Sequence, residues 1–372
     1  MMWLAKERAK VILDAIRGRK VLVFGDLMLD EYLFGEVNRI SPEAPVPIIR
    51  VTGERQVLGG AANVASNLKA LGAEPLLVGT IGNDAAGARI CKLLSTLGVD
   101  ENGLVQEPLR PTIIKTRVIG QHQQMLRIDR EEAGLPCAEA IEGLQGRIRT
   151  MIQAASAVIV SDYAKGTVGR QVVDTIREQA GIKGVPWVVD PKPAHGHLYF
   201  GASAITPNTK ELSELTALPA NTDDEMATAS SELVAKLGLA GLLVTRSEKG
   251  MALVMPEAVE TELSACAVME QDSPQAETAD MDARASQPFL HSLSPVALRG
   301  EYKQSITIIP TYAREVFDVS GAGDTVIAAF TAALAAKTSW LDAAMLANTA
   351  AGVVVGKMGT ATASPQEILD RL

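Results

Sequence analysis

Residues 318–325, Asp-Val-Ser-Gly-Ala-Gly-Asp-Thr, have the residue types and spacing needed to transfer an anion. Two glycines at a helix start, Gly321 and Gly323, leave backbone N–H groups open, and the helix dipole adds partial positive charge there. Asp324 would repel a resting anion, so its presence suggests a base that takes a proton from a nearby hydroxyl during the transfer. The alternative is a plain glycine-containing turn in which Asp324 caps the helix.

Strand-like and helix-like segments alternate along the chain and would position this turn. An apolar run at 306–309 precedes it, and an alanine-rich run at 326–336 follows it as a buried helix. Apolar runs typical of buried parallel strands recur at 21–24, 76–79, 157–160, 187–189 and 242–244, and helical patterns recur at 4–17, 61–71, 84–97, 138–154, 168–180 and 223–238. The alternation predicts a doubly wound α/β sheet, whose ligands gather at the carboxyl ends of the strands.

Three segments depart from this alternation. Residues 46–51 follow a proline-rich stretch and indicate an edge strand, and residues 112–129 alternate like a β-hairpin. Residues 256–305 contain nine acidic and three basic residues, a composition that predicts a mobile surface insertion.

The composition excludes several classes of protein. The net charge is −9 and no basic stripe occurs, so we expect no nucleic-acid partner. The three cysteines are scattered without a C-x-x-C pair, which fits a reducing cytosol. The N-terminus lacks the apolar core of a signal peptide, and no apolar run is long enough to span a membrane. We therefore predict a cytoplasmic protein with no membrane partner.

Three motifs, in this order along the chain, are similar to the signatures of the PfkB, ribokinase-like carbohydrate kinases. They are the glycine-rich string at 59–65, the segment from Asn208 to Glu211, and residues 318–324, in which Ser320 stands where threonine is usual. The resemblance implies one kinase domain over residues 1–372, with a mostly parallel α/β sheet, helices on both faces and a small β lid at about 30–52 and 110–130. It also implies a homodimer formed through the lid.

The resemblance implies a role for each matching residue. The catalytic base would be Asp324, and the amides of Gly321, Ala322 and Gly323 would form an anion hole for the transferred phosphoryl group. Sugar hydroxyls would be bound by Asp30, Gly59, Gly60 and Asn63. ATP would be bound by Asn208, Glu211, Lys192, Thr245, Ser247, Gly250 and Asn348. Mg²⁺ would be held through water by Glu211, and a monovalent cation such as K⁺ by Asp318 and Ser320, with carbonyls near Val354 and Gly359.

Some of these residues have simpler interpretations, and other phosphate motifs are absent. Without the resemblance, Asn63 is interpreted as a helix cap, and Asn208 with Glu211 as a solvated polar face. The string at 352–358 is one residue short of a Walker A loop, and no G-x-G-x-x-G fingerprint occurs. His195 and His197 lack a visible third ligand, so a loop role is favoured over a metal site.

Strings at 38–47, 121–131, 161–166 and 315–325 resemble, more narrowly, the heptose-7-phosphate kinase branch of this family. That branch implies ATP-dependent phosphorylation of D-glycero-β-D-manno-heptose 7-phosphate at O1, for ADP-heptose and lipopolysaccharide core synthesis. A sugar that already bears a phosphate needs cations, which the lid-like segments supply as Arg39, Lys115, Arg117 and Arg127. Each of these alone is equally well explained as a solvated surface charge.

Bifunctional relatives in that branch carry a nucleotidyltransferase with a His-x-Gly-His motif. This sequence lacks that motif, so we expect a monofunctional kinase. Two alternatives stay open: another PfkB kinase, acting on ribose, fructose or a nucleoside, and a non-catalytic sugar-binding paralogue. The intact Asp324 and its two glycines argue against the second alternative.

Overall fold

The computed structural model of the chain describes residues 4–121, 123–132, 134–256, 304–312, 316–357 and 359–372. The predicted insertion at 256–305 lies outside the described residues, apart from its two ends in flanking strands. Those ends are directly paired, because Pro256 faces Gln304 in an antiparallel register.

The described residues form thirteen strands and ten α-helices. The strands are β1 (Lys20–Gly25), β2 (Leu27–Ile40), β3 (Pro47–Gly60), β4 (Glu74–Gly82), β5 (Leu104–Glu107), β6 (Ile113–Gly120), β7 (Gln123–Arg130), β8 (Ala157–Ser161), β9 (Trp187–Asp190), β10 (Ala204–Ile205), β11 (Gly241–Thr245), β12 (Met251–Pro256) and β13 (Gln304–Ile309). The helices are α1 (Lys6–Ile16), α2 (Ala61–Ala70), α3 (Ala85–Leu97), α4 (Ala138–Met151), α5 (Arg170–Lys183), α6 (Thr209–Thr216), α7 (Asp223–Leu237), α8 (Ala322–Ala335), α9 (Trp340–Val354) and α10 (Pro365–Arg371).

The larger sheet has nine strands in the order β13-β12-β11-β10-β9-β8-β1-β4-β5. Its described strands pair in parallel, except for the two pairings that involve β12. The chain runs outward from β1 in both directions, to β4 and β5 on one side and to β8 and beyond on the other. Such a switch point opens a crevice at the carboxyl ends of the strands. Here β1 and β8 approach closely, since a Cβ on Gly25 would lie 2.0 Å from the carbonyl oxygen of Ser161.

Helices cover both faces of this sheet, because its strands are apolar on both sides. In β1, Val21 and Val23 pack into one buried cluster together with α1, α2, α8 and α9. Leu22 and Phe24 point the opposite way and pack with α4, α5, α6 and α7. The predicted doubly wound α/β architecture is confirmed. Within the described ranges, no helix combines the length and apolar content needed to cross a bilayer.

A small four-stranded sheet, in the order β3-β2-β6-β7, stands apart from the larger one. Its inner strands β2 and β6 are parallel, and each edge strand is antiparallel to its neighbour. These strands include most residues of the predicted lid segments, although β2 and β3 together reach from Leu27 to Gly60. That this small sheet closes over a ligand stays a prediction.

Candidate active site

Asp324 lies in the first turn of α8, just after a left-handed turn at Gly321. The residue is only 4% exposed, and its carboxylate accepts two hydrogen bonds. The Asn63 amide donates to Oδ2 at 2.6 Å, and the Tyr163 hydroxyl donates to Oδ1 at 2.7 Å. A Cβ on Gly321 would lie 2.8 Å from Nδ2 of Asn63, so glycine allows this close approach.

The environment of Asp324 makes its carboxyl group a better proton acceptor than an ordinary aspartate. Burial raises the pKa of Asp324 to about 6, and the negative charge of Asp30 acts in the same direction. Hydrogen bonds from Asn63 and Tyr163, and the positive charge of Lys115, oppose that rise in pKa. The partial positive charge of the helix N-terminus favours the ionised form, but burial outweighs it. A pKa just below neutral suits a general base.

The glycines beside Asp324 leave backbone donors at the start of α8. The Ala322 amide donates to the Val319 carbonyl at 3.2 Å, so one of the three predicted amides already closes a turn. Among the residues that the structure describes, the amides of Gly321 and Gly323 have no acceptor. A Cβ on Gly323 would meet no described atom within 4 Å. The geometry therefore fits an anion hole built mainly from Gly321 and Gly323.

Tyr163 reaches Asp324 because the loop after β8 folds around the buried carboxylate of Asp26. Oδ2 of Asp26 accepts from the amides of Tyr163 at 2.9 Å and Lys165 at 3.1 Å. Its Oδ1 accepts from the Thr167 amide at 2.9 Å. Three backbone hydrogen bonds to one carboxylate fix the path of this loop at the switch point between β1 and β8.

Asp30 and the double glycine meet beside this site, at the base of the small sheet. Asp30 is buried, and its Oδ1 accepts a 2.7 Å hydrogen bond from Arg117 in a mostly buried ion pair. A Cβ on Gly59 would lie 2.6 Å from Oδ2 of Asp30, and one on Gly60 would lie 2.3 Å from the Asp26 carbonyl oxygen. Both glycines are therefore needed for the end of strand β3 to pack against β2 and the Asp26 backbone.

Lys115 stands out among the four cations predicted to bind the sugar phosphate. It is opposite Asp30 in the register of β2 and β6, and its Nζ lies 5.3 Å from the ring centre of Tyr163. Burial lowers the pKa of Lys115. It makes no ion pair with any carboxylate in the part of the chain that the structure describes. Its charge is therefore free to meet an anion.

Of the other three predicted cations, two are paired with carboxylates and one lies far from Asp30. Arg117 is committed to Asp30. Arg127 is exposed and holds Asp129 through two 2.8 Å hydrogen bonds. Arg39 lies nine residues along β2 from Asp30, a distance of roughly 30 Å in an extended strand, so the structure does not bring it to the site.

The predicted ATP residues gather at the ends of β9 and β11. Asn208 caps α6 in a reciprocal capping box with Glu211, which explains this pair locally. Glu211 also pairs with Lys192. The Thr245 amide donates to the Pro207 carbonyl at 2.9 Å, which brings the end of β11 beside the cap.

The other residues predicted to bind ATP, Ser247, Gly250 and Asn348, contribute to the local structure. Ser247 adopts a φ of 51°, and Gly250 a φ of 84° in a turn where a Cβ would lie 2.1 Å from the Ile309 carbonyl oxygen. Asn348 is buried, and its Nδ2 donates to the Pro310 carbonyl at 2.6 Å. Asn348 thus secures the segment after β13 with one of its two amide N–H donors. Its contact with ATP stays a prediction.

Asp318 and Ser320 form a compact loop before the anion hole. Oδ1 of Asp318 accepts from the Ser320 amide at 2.9 Å, and Oδ2 accepts from the Gly359 amide at 3.0 Å. Burial raises the pKa of Asp318, but these hydrogen bonds more than offset it, so the net shift is downward. The Val354 carbonyl accepts from the Lys357 amide at 2.9 Å. An ionised Asp318 suits a cation, although both of its oxygens already accept backbone hydrogen bonds.

His195 has a carboxylate partner at Nδ1. Its Nδ1 lies 2.7 Å from Oδ2 of Asp162, which also accepts from the Tyr199 hydroxyl at 2.7 Å. Burial raises the pKa of Asp162. No cluster of three metal-ligating side chains occurs among the described residues. The loop role favoured for His195 over a metal site stays a prediction.

Sequence reasoning missed Tyr163 and Asp26 as site residues. Both follow apolar strands, and the string at 161–166 was noted only for its resemblance. The pairing of Gly25 with Ser161 in the parallel register brings them together, and that register is not readable from sequence.

An α/β sheet with a buried aspartate at a helix start, beside a small four-stranded sheet, defines the ribokinase-like class of protein. Solved structures agree on the fold. Arabidopsis thaliana ribokinase complexed with ribose and ATP superposes with a TM-score of 0.66 and 21% identity, covering 95% of this chain and 98% of that one. Phosphofructokinase-2 from Escherichia coli in complex with potassium gives a TM-score of 0.68 and 17% identity, covering 95% and 97%.

The chain belongs to the pfkB family of carbohydrate kinases, whose model matches residues 19–272 and 296–367. It is similar to the bifunctional protein HldE of Paramagnetospirillum magneticum, with 39% identity over 96% of this chain and 64% of the relative. It is also similar to HldE of Gluconacetobacter diazotrophicus, with 40% identity over 95% of this chain and 63% of the relative. The chain thus spans less than two thirds of the length of these relatives.

Proposed function

We propose that this protein transfers the γ-phosphoryl group of ATP to O1 of D-glycero-β-D-manno-heptose 7-phosphate, giving the 1,7-bisphosphate for ADP-heptose and lipopolysaccharide core synthesis. The observation that carries the proposal is the buried Asp324 carboxylate, which lies between unsatisfied helix-start amides and a small sheet bearing the unpaired Lys115. The likeness to HldE proteins along nearly the whole chain favours heptose 7-phosphate over other sugars.

The reaction would proceed in one displacement. Asp324 takes the proton from O1 as O1 forms a bond to the γ-phosphorus, and the bond from that phosphorus to the ADP oxygen breaks. The amides of Gly321 and Gly323 stabilise the charge on the transferring group. Asp30 accepts hydrogen bonds from sugar hydroxyls, while Arg117 holds its carboxylate in place.

We assign the 7-phosphate of the sugar to Lys115. A phosphate dianion needs a cation whose charge is not already neutralised, and Lys115 fits this better than Arg117 or Arg127. Burial lowers its pKa by disfavouring the charged ammonium group, and a bound anion would offset that cost.

Mg²⁺ would be held near Glu211 and Asp190, through water. Burial raises the pKa of Asp190 well above its usual range, and negative charge from Asp324 and Glu211 adds to that rise. A divalent cation held there would neutralise this repulsion and would supply positive charge to offset that of the ATP phosphates. The carboxylate oxygens fit such an ion. A monovalent cation at Asp318 and Ser320, with the carbonyls near Val354 and Gly359, is part of the same proposal.

A homodimer through the small sheet is also proposed. Leu126 and Ile128 on the edge strand β7, and Val51 on the opposite edge strand β3, are exposed apolar side chains. A second copy would cover them and the open strand edges.

The proposed location is the cytoplasm. The described cysteines are free thiols, in keeping with that location.

The test is release of ADP over a panel of acceptors: heptose 7-phosphate, fructose 6-phosphate, fructose and ribose. Heptose 7-phosphate should give the highest kcat/KM, and Asp324→Asn should abolish most of the release. Equal turnover of ribose would support the alternative of a general pfkB sugar kinase. Sugar binding without any ADP release would support the non-catalytic alternative.

A further inference from the structure

The hydroxyl of Tyr163 donates a hydrogen bond to Oδ1 of Asp324. Tyr163 has no role in the reaction described above. We propose, resting on that function, that Tyr163 is a positioning residue that aims the Asp324 carboxylate at the acceptor hydroxyl and keeps it able to accept a proton. Asn63 holds the other carboxylate oxygen, so the two donors together fix the plane of the group.

The position of Tyr163 is determined by the hydrogen bonds of its loop. Its amide is tied to the buried Asp26 carboxylate, as are the amides of Lys165 and Thr167. A loop held at three points cannot move its side chain freely. The Tyr163 hydroxyl therefore meets Asp324 in a geometry that the switch point between β1 and β8 determines.

The ring of Tyr163 also lies near two cations from different parts of the site. Nζ of Lys115, from the small sheet, lies 5.3 Å from the ring centre, and Nζ of Lys192, from the nucleotide side, lies 5.8 Å from it. Both lysines are therefore positioned against the same ring whose hydroxyl holds the base.

Tyr163 stays protonated over the working pH range. Burial raises its pKa well above 10, and the charge of Asp324 adds to that rise. An O–H donor to a carboxylate stabilises the ionised form. Loss of this donor should make Asp324 harder to ionise, while Asn63 still holds its other oxygen.

Other charged groups also face Asp324, and a Tyr163→Phe variant leaves all of them in place. They are Asp30 from β2, Lys115 from β6 and Asp190 from the end of β9. Two further cations nearby are paired, Arg117 with Asp30 and Lys192 with Glu211. A change in titration on removing one hydroxyl is therefore attributable to the lost hydrogen bond.

The test is the pH dependence of kcat/KM in Tyr163→Phe, with Tyr199→Phe as the matched control. Tyr199 also donates a 2.7 Å hydrogen bond to a buried carboxylate, but that carboxylate is Asp162. In Tyr163→Phe the acid limb should move up by about one to two pH units, with activity recovering at high pH. In Tyr199→Phe the limb should stay where it is.

A second readout does not depend on activity. Titration of the side-chain carboxyl of Asp324 by ¹³C NMR, assigned with Asp324→Asn, should show the same upward shift in Tyr163→Phe. An unmoved titration, or a loss of rate by the same factor at every pH, would overturn the assignment. If the wild type proves inactive on heptose 7-phosphate while the titration still moves, the substrate proposal fails and the Tyr163 assignment stands.

Discussion

Nδ2 of Asn63 donates to Oδ2 of Asp324 at 2.6 Å across a sequence separation of 261 residues. A second buried link runs beside it, since Oδ1 of Asn67 accepts from the Thr325 hydroxyl at 2.8 Å. The first two turns of α2 are thus joined to the first turn of α8 by two buried polar pairs. Because unpaired buried polar groups are costly, these pairs fix the two helix starts relative to each other.

The first prediction concerns Asp324 as the catalytic base. Asp324→Asn keeps the shape of the side chain, and its amide oxygen and N–H can pair with the Asn63 amide and the Tyr163 hydroxyl, so the variant should fold and bind ATP. The rate should fall by roughly 10²- to 10⁴-fold, because the amide cannot take the proton from O1. Steady-state kinetics with ATP titration measures both effects. Asp342→Asn, which alters a surface carboxylate paired with Arg8, is the control. A variant that keeps more than about a third of wild-type kcat would remove Asp324 from this role.

The stability of the fold should also report on Asp324. Its pKa of about 6 in the folded protein lies above the ordinary value of 3.8, so the folded state binds this proton more tightly than the unfolded state does. The stability due to protonation is full below pH 3.8 and is lost as the pH rises through about 6, by ~3 kcal/mol. Asp324→Asn has no such loss. Its free energy of unfolding relative to wild type should therefore be higher at pH 7.5 than at pH 4.5 in urea titrations. An unchanged difference between the two pH values would contradict the raised pKa.

The sequence predicts the large sheet better than the small one, for physical reasons. Strands such as β1 are buried on both faces and read as continuous apolar runs. Strands β2 and β3 are partly exposed along much of their length, so their bounds were recovered only in part.

In the site, the motifs identified Asp324, Asn63, Asp30 and Gly59, which the structure brings together. The motifs could not show that Arg117 is paired with Asp30 while Lys115 is not. That ion pair depends on the register between β2 and β6. The engagement of Asn348 with Pro310 likewise depends on a tertiary contact, so the motif could not show it.

Substrate specificity gives the third prediction. Lys115→Gln should reduce kcat/KM for heptose 7-phosphate by roughly 10- to 150-fold, the equivalent of about 1.5–3 kcal/mol for a hydrogen bond to a charged group. KM for ATP should change much less, because Lys115 lies on the sugar side. Ribose should be a poor substrate for the wild type, since it leaves this cation without an anion.

Arg39→Gln is the matched control for Lys115→Gln. It also removes one cation from the small sheet, but at a position roughly 30 Å along β2 from Asp30. Its kcat/KM should stay close to wild type. A larger loss in Arg39→Gln than in Lys115→Gln would reverse the assignment of the phosphate site.

The segment between β12 and β13 gives the fourth prediction. Pro256 and Gln304 face each other in the antiparallel register, so a short Gly/Ser bridge replacing residues 257–301 should close this hairpin without strain. Melting temperature and kcat should change little. The control is a bridge of the same composition with twice the length, which should behave alike. Insoluble protein, or a large rise in KM, would show that the segment contributes to folding or to the site.

The fifth prediction concerns Gly59, which lets β3 lie against Asp30. A Cβ at this position would lie 2.6 Å from Oδ2 of Asp30 and 2.8 Å from Cγ of Met28, so Gly59→Ala must displace the Asp30 carboxylate. KM for the sugar should rise at least about tenfold, as expected when a hydrogen bond to a charged group is lost, while KM for ATP stays close to wild type. Gly53→Ala is the control, since it lies on the same strand and its added Cβ would meet nothing within 4 Å. Parallel kinetics and melting curves separate loss of sugar binding from loss of folding. If both variants have wild-type KM for the sugar, Asp30 does not bind the sugar hydroxyls.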